Sequence, residues 1–213
     1  MSNSSILLPN FPKGQLFVVS APSGTGKSTL IDMLSAEFPR IVANVSFTTR
    51  TPRANEKDGV NYFFVDVEHF IGKKNKGHFL ETVELYGTYY GSCIRNIQAN
   101  LNTGKIVILV IDTQGMMTLK QEKRLDFTSI FIRPPSLEVL SERLLNRLTD
   151  TPESIKKRLS VAEEELKMEK FYDFCVVNDD IETAYAVLRS IFIAVNHKVT
   201  LNIFNEEDVH GTT

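Results

Sequence analysis

Residues 20–28 read Ser20-Ala21-Pro22-Ser23-Gly24-Thr25-Gly26-Lys27-Ser28. From Ala21 to Gly26-Lys27-Ser28 the spacing is that of a phosphate-binding loop, with Ala21 where the pattern writes its first glycine. The residue types suit that chemistry. A polyphosphate oxygen must come close to backbone N–H groups, and Gly24 and Gly26 have no Cβ in the way. A helix starting near Lys27 adds its positive end to the same anion. Lys27 can reach the β- and γ-phosphates. The Ser28 hydroxyl can ligate Mg²⁺, a cation that takes hard oxygens and keeps several waters. The plainer reading is a glycine turn. The apolar run Leu16–Val19 before the loop and the helical pattern after it favour the phosphate site.

A second group of candidates follows. Arg50 and Arg53 put two guanidiniums three residues apart, a spacing that can clamp a phosphate bidentately. Ser46, Tyr62, Glu81, Tyr89 and Tyr90 belong to the same stretch. Tyrosine hydroxyls can donate to a phosphate. A lone carboxylate such as Glu81 can accept the paired N1–H and N2–H₂ donors on one edge of guanine, a pair adenine lacks. Taken alone, the arginines also read as solvated surface groups and the tyrosines as half-buried packing.

The elements that must position these residues are legible. Residues 16–20 read as a buried strand and Lys27–Phe38 as a helix closed by Pro39. Residues 41–47 read as one strand, 52–61 as a loop, 62–65 and 79–85 as strands. A short helix starts at Asp66 or Val67. Gly87–Gly91 reads as a turn, with Ser92 capping a helix that runs to Asn102. The run Lys105–Ile111 suits a central parallel strand, followed by a helix over Gln114–Gln121. Strand 128–132 leads to a helix whose apolar face is Leu137, Leu140, Leu144, Leu145 and Leu148. Pro152 opens another helix to Lys170; strand 173–177 and helix 181–195 close the pattern. The alternation predicts an α/β fold, a three-layer α/β/α core on a parallel sheet. The β-rich stretch 44–91 interrupts it like a lobe inserted on one edge.

The chain has 213 residues, 42% hydrophobic and 23% charged, which suits one domain with a sizeable core. A net charge of −2 gives no footprint for nucleic acid or an anionic membrane. The N-terminal stretch lacks a basic region and a long apolar run, so neither a signal peptide nor a membrane span is expected. Cys93 and Cys175 match no metal spacing and read as small core or near-surface thiols of a reducing, cytoplasmic protein.

The segments Ser46-Phe47-Thr48-Thr49-Arg50-Thr51-Pro52-Arg53, Gly59-Val60-Asn61-Tyr62-Phe63-Phe64-Val65, Phe79-Leu80-Glu81 and Gly87-Thr88-Tyr89-Tyr90-Gly91 resemble the guanylate kinase family. So do Ile111-Asp112-Thr113-Gln114-Gly115, Ile132-Arg133-Pro134-Pro135-Ser136 and Val177-Asn178-Asp179-Asp180. The match runs in order from about residue 14 to 195. The resemblance implies ATP-dependent phosphorylation of GMP, and of dGMP, to the diphosphate, with Mg²⁺ accompanying ATP. It implies a P-loop NTPase core, a small β-rich GMP-binding lobe and a helical lid. In that frame 1–13 is a leader and 196–213 a tail. The core is 14–43, 92–145 and 172–195, the lobe 44–91 and the lid 146–171.

The resemblance assigns ATP to Ala21, Pro22, Ser23, Gly24, Thr25, Gly26, Lys27, Ser28 and Asn178, with the metal on Ser28. It assigns GMP to Ser46, Arg50, Arg53, Tyr62, Glu81, Tyr90, Ser92 and Asp112. Arg50, Arg53, Tyr62 and Tyr90 would face the phosphate, Glu81 and Ser92 the base. Catalytic groups would be Lys27, Arg50, Asp112, Arg147 and Arg158, with Arg143 close by. The sequence departs from the family in three places. Val110 stands where a second carboxylate usually precedes Asp112, which bears on rate and GMP affinity. Arg147-Leu148 stands for the usual Arg-Gly, and Asn55 for a usual glycine. Two readings stay open beside the kinase: a scaffold that uses the same lobe to hold a peptide, and a kinase for another nucleoside monophosphate. The expected partners are ATP and GMP, with no nucleic acid and no membrane, for a monomer or homodimer.

Overall fold

The computed structural model describes residues 8, 14–85, 87–146 and 152–198. In chain order the strands are β1 (Gln15–Ser20), β2 (Ile41–Ala43), β3 (Phe47–Thr48), β4 (Phe63–Phe64), β5 (Phe79–Leu85), β6 (Thr88–Cys93), β7 (Ile106–Val110), β8 (Thr128–Arg133) and β9 (Phe174–Val177). The helices are α1 (Lys27–Glu37), α2 (Val67–Asn75), α3 (Ile94–Asn102), α4 (Thr113–Glu122), α5 (Leu137–Leu145), α6 (Pro152–Lys167) and α7 (Ile181–Asn196).

Burial on both faces is what β1 dictates. Phe17 and Val19 point to one side and Leu16 and Val18 to the other, all of them buried. Such a strand belongs inside a parallel sheet with helices on each face. Five parallel strands pair in the order β2-β7-β1-β8-β9. The Phe17 side packs with Leu30, Leu34, Leu188 and Phe192 of α1 and α7, and the Phe17 and Phe192 rings stack at 4.0 Å. The Leu16 side packs with Ile97 of α3 and with Met116 and Leu119 of α4. The fold is the expected three-layer α/β/α core on a parallel sheet.

The second sheet runs β4-β3-β6-β5. Here the structure corrects the sequence reading. Residues 41–47 are not one strand: β2 joins the core sheet, β3 joins the second sheet, and Asn44–Ser46 carry the chain between them. Residues 88–91 are not a turn but the start of β6, antiparallel to β5. The turn itself lies just before, where Gly87 takes φ 75°. Ser92 therefore sits in a strand, and α3 starts after Cys93 without a side-chain cap. Aromatic stacking fills this sheet, with Phe70 of α2 against Phe79 and Tyr89.

α5 and α6 pack on one another through Leu140, Leu144, Ile155 and Ala162. Leu145, read as part of that apolar face, is 57% exposed, because the face turns inward at Leu140 and Leu144. Leu148 lies outside the described residues. α6 ends at Lys167, and a separate 3₁₀ turn over Glu169–Phe171 leads into β9. Asn55 does not take a left-handed backbone; Lys123, at φ 50°, is the non-glycine residue that does among the described residues. No helix among the described residues is long and apolar enough to cross a membrane.

Phe17 is wholly buried at the centre of the larger core. Phe17→Ala is expected to destabilise the fold by about 3–5 kcal/mol, read from denaturant midpoints. A loss below about 1 kcal/mol would mean that this stack is not the centre of the core.

Candidate active site

The phosphate-loop end is built by three features. First, α1 starts on Gly26 (φ 88°, ψ 11°) with no side chain capping its first turn, so its leading N–H groups stay available to an anion. Second, the loop is held in shape from behind. The Thr25 hydroxyl and N–H both donate to the Pro22 carbonyl. The Asn178 side-chain amide donates to the Thr25 carbonyl at 2.6 Å. Arg143 in turn holds the Asn178 and Asp179 carbonyls at 2.9 and 3.0 Å. Third, both glycines are required. A Cβ on Gly26 would lie 2.5 Å from Asn178 Nδ2, and one on Gly24 2.9 Å from Leu144 Cδ2. Ala21 and Pro22 are buried, whereas Ser23 and Ser28 are exposed. Arg158 of α6 reaches over the loop and donates to Ser23 Oγ at 2.7 Å.

Lys27 is half-buried and faces two acids. Burial lowers its ammonium below the usual lysine range, against the pull of Glu165 and Asp112. Burial raises Asp112, with its bond from Gly115 N and the charge of Lys27 opposing. Burial also pushes Glu165, on α6, up to about 7. Among the described residues no group of three His, Cys, Asp or Glu side chains could hold a metal.

The other end is a buried acid. Glu81 of β5 is 4% exposed. Its Oε1 accepts the Ser92 hydroxyl at 2.7 Å, and the Ser92 and Ser46 hydroxyls lie 3.2 Å apart. The β5–β6 register sets Glu81 directly across from Ser92. Glu81 Oε2 is buried with no hydrogen-bond partner. Burial, aided by the nearby Asp112 charge, pushes this carboxyl up to about 7. Asp112 thus feels both ends of the site, Lys27 on one side and Glu81 on the other.

The second sheet also carries a cationic, aromatic corner. The Arg50 guanidinium sits 5.5 Å from the Tyr62 ring centre and 5.8 Å from that of Phe64. Tyr62 and Tyr90 meet edge-on at 6.0 Å. Glu56 pairs with Arg50 at 2.7 Å and accepts the Arg53 backbone N–H at 2.8 Å. Arg53 itself is exposed. Chemically, this arrangement offers one anion site at a helix start, a second cationic corner, and an acid awaiting donors.

The Guanylate kinase family model matches residues 13–195. A guanylate kinase of Protochlamydia amoebophila is 49% identical over 188 residues, 88% of this chain and 94% of that one. One of Chlamydia muridarum is 46% identical, over 87% and 90%. The chain belongs to the guanylate kinase family. The crystal structure of guanylate kinase from Anaplasma phagocytophilum superposes with a TM-score of 0.72 at 35% identity, covering 89% and 90% of the two chains.

The structure brings together most of the residues that the family resemblance singles out. Lys27 meets Asp112, Glu81 meets Ser92 and Ser46, and Arg50 meets Tyr62 and Tyr90. Asn178, expected at the adenine nucleotide, is 3% exposed, and its side-chain amide braces the loop. Arg147 lies outside the described residues. Val110 ends β7 half-buried against the larger core. Sequence reasoning missed Glu56, Glu165 and the bracing role of Arg143. Glu56 is one of several charges in a polar loop, and Glu165 one of three consecutive glutamates. Helix phase carried the missing signal: Arg158 and Glu165, seven residues apart, share a face of α6 with buried Ala162.

Glu81 titrates near 4.5 in an unfolded chain and at about 7 in the fold. The folded chain keeps the extra proton between those values. The stability it brings is full below pH 4.5 and lost as pH rises through about 7. The melting temperature of the ligand-free protein relative to Glu81→Gln is expected to fall by several degrees between pH 5 and 8. A difference that stays constant with pH would return Glu81 to the ordinary carboxylate range.

Proposed function

We propose that this protein transfers the γ-phosphoryl group of MgATP directly to the phosphate of GMP, giving ADP and GDP. The observation that carries the reading is Glu81: a buried carboxylate with one oxygen unbonded, beside Asp112, which also faces Lys27 at an uncapped helix start. Guanine supplies the adjacent donors that such an acid lacks. The acceptor phosphate is already an anion, so no strong base is required. The difficulty is bringing two polyanions together, and fixed positive groups answer it.

The loop amides and Lys27 bind the triphosphate of ATP. Exposed Ser28, in the first turn of α1, would hold Mg²⁺ together with phosphate oxygens and waters. When bound, the cation would neutralise phosphate charge. Arg50, Arg53, Tyr62 and Tyr90 hold the GMP phosphate, with Arg50 leaving Glu56 to do so. Glu81, Ser92, Ser46 and Asp112 hold the base. Residues 44–91 form the GMP lobe and 146–171 the lid, on which Arg158 already touches the phosphate loop. Arg147 is its second arginine in this scheme. Closure excludes water and so protects ATP from hydrolysis. The free thiols Cys93 and Cys175 suit the reducing cytoplasm, where we place the reaction. A scaffold role is disfavoured by a phosphate loop complete in Gly24, Gly26, Lys27 and Ser28.

ADP release by the purified chain is expected to require GMP, and to be far slower with AMP, CMP or UMP. Lys27→Ala should lower kcat by about 10²–10³-fold with an unchanged melting temperature. Near-normal turnover would remove Lys27 from the phosphate site. In a separate assay, Glu81→Gln should raise KM for GMP at least about tenfold and leave KM for ATP within about twofold. Equal weakening of both substrates would mean that Glu81 does not read the base.

A further inference from the structure

Tyr172 stands between the 3₁₀ turn and β9 on a backbone pinned from both sides. The Phe171 carbonyl accepts Lys120 Nζ, and Asp173 Oδ2 accepts the Ser129 N–H and hydroxyl, each at 2.7 Å. The Tyr172 ring tilts against that of Phe131 at 5.1 Å and packs on the Leu16 side of the sheet. At the end of this rigid arm the hydroxyl is buried with no hydrogen-bond partner. Burial raises it above the usual tyrosine range. Ser20 opposes the shift, though its own hydroxyl donates to the Asp112 carbonyl, and the charges of Asp112 and Glu165 add to it. The group is therefore a permanent donor beside two acids. Keeping it unpaired is costly, and a phenylalanine would fill the same space without that cost.

Of the two acids, one is already engaged. Asp112 Oδ1 accepts the Gly115 N–H at 2.7 Å. Glu165 is not: no hydrogen bond acts on its carboxyl, and besides burial it feels the charges of Lys27 and Asp112. It lies on α6, the helix whose Arg158 reaches the phosphate loop at Ser23. In the ligand-free protein Lys27 thus attracts Glu165 by charge alone. A triphosphate at the loop would take over Lys27 and repel the carboxylate. A neutral donor that is held still is the partner a displaced carboxylate can take, and the Tyr172 hydroxyl is one.

We propose that Tyr172 is a positioning residue for the ATP half of the reaction: its hydroxyl donates to the Glu165 carboxylate once a bound triphosphate displaces that acid from Lys27, and the bond fixes α6 over the nucleotide. The inference rests on the reading that Lys27 binds the triphosphate of ATP. It adds a residue that touches neither substrate. The proton stays on the tyrosine throughout; what changes is the partner of Glu165. Lys27 is cleared for phosphate and the helix that carries Arg158 is held down by the same exchange.

The test is titration calorimetry of the full chain with Mg²⁺ and the non-hydrolysable imido analogue of ATP, at about pH 8, above the titration of Glu165 at about 7. Tyr172→Phe keeps the ring and should weaken binding about tenfold, the loss of one charge-assisted hydrogen bond. In a Glu165→Ala background the same substitution should change binding less than about twofold, because the acceptor is gone. Ligand-free Tyr172→Phe should melt no lower than the natural protein, since its hydroxyl has no partner to lose. In turnover, KM for ATP should rise about tenfold and KM for GMP stay within about twofold. Unchanged affinity in Tyr172→Phe, an equal loss in both backgrounds, or a ligand-free melting temperature lower by several degrees overturns the proposal. If Glu165→Ala does not fold, Glu165→Gln takes its place. The loss there should shrink to about threefold or less, because a neutral acceptor makes the weaker bond, and a full tenfold loss overturns the proposal. Phosphoryl transfer plays no part in the titration. Analogue binding without turnover of GMP would therefore count against the proposed function and leave these outcomes readable.

Discussion

The parallel pairing of β1 with β7, with Val19 opposite Val110, is the contact on which the site depends. It sets two strand ends side by side. The chain leaves β1 into the phosphate loop and leaves β7 into Asp112 and α4. The Ser20 hydroxyl, the last side chain of β1, donates to the Asp112 carbonyl at 3.4 Å and ties the two exits together. Open parallel sheets bind ligands outside such strand ends. The apolar residues that bury both faces of β1 are thus also what fixes Lys27 against Asp112.

That arrangement is electrostatically uncomfortable without a ligand. Asp112 and Glu165 share a single lysine, Asp112 also faces Glu81, and burial raises all three acids. Buried charge without a partner is costly, and an unbonded Glu81 oxygen adds to the cost. Sites that serve chemistry commonly hold such groups, at some expense to stability. Two kinds of incoming group relieve the strain. N–H donors on a base satisfy the acid at the far end. In the proposed reaction, phosphate charge at the loop end gives Lys27 a partner stronger than the carboxylates.

The core was legible because its signals are local and redundant. An apolar run, a glycine loop and a helix start each point to the same element, and the β7 run suits a strand covered on both faces. The second sheet was less legible where pairing overrides local type. Gly87-Thr88-Tyr89-Tyr90-Gly91 reads as a turn by its two glycines, yet Thr88, Tyr89 and Tyr90 pair with β5 once Gly87 has made the bend. The same override moved Ser92 from a helix cap to the partner of Glu81. In residues 41–47 the local marks of where the chain leaves one sheet for another are Asn44 and Ser46, and single polar residues also occur within strands. Glu165 and Glu56 were harder to single out for a different reason: each is one of several equivalent charges nearby, and for Glu165 only the helix phase sets it apart.

The two halves of the proposed monophosphate site differ in how firmly they are held. At the base end, Glu81, Ser92 and Ser46 are buried and bonded to one another, fixed by strand register. At the phosphate end, the Arg50–Glu56 pair keeps 20% and 15% of its side-chain surface exposed. A pair in contact with water is worth little, and a phosphate offers the guanidinium a stronger bidentate partner than a carboxylate does. The rings of Tyr62 and Phe64 keep Arg50 oriented whichever anion it holds. Rigidity is therefore concentrated where one base must be told from another. Exchangeability is concentrated where a charge must be accepted and then released as product.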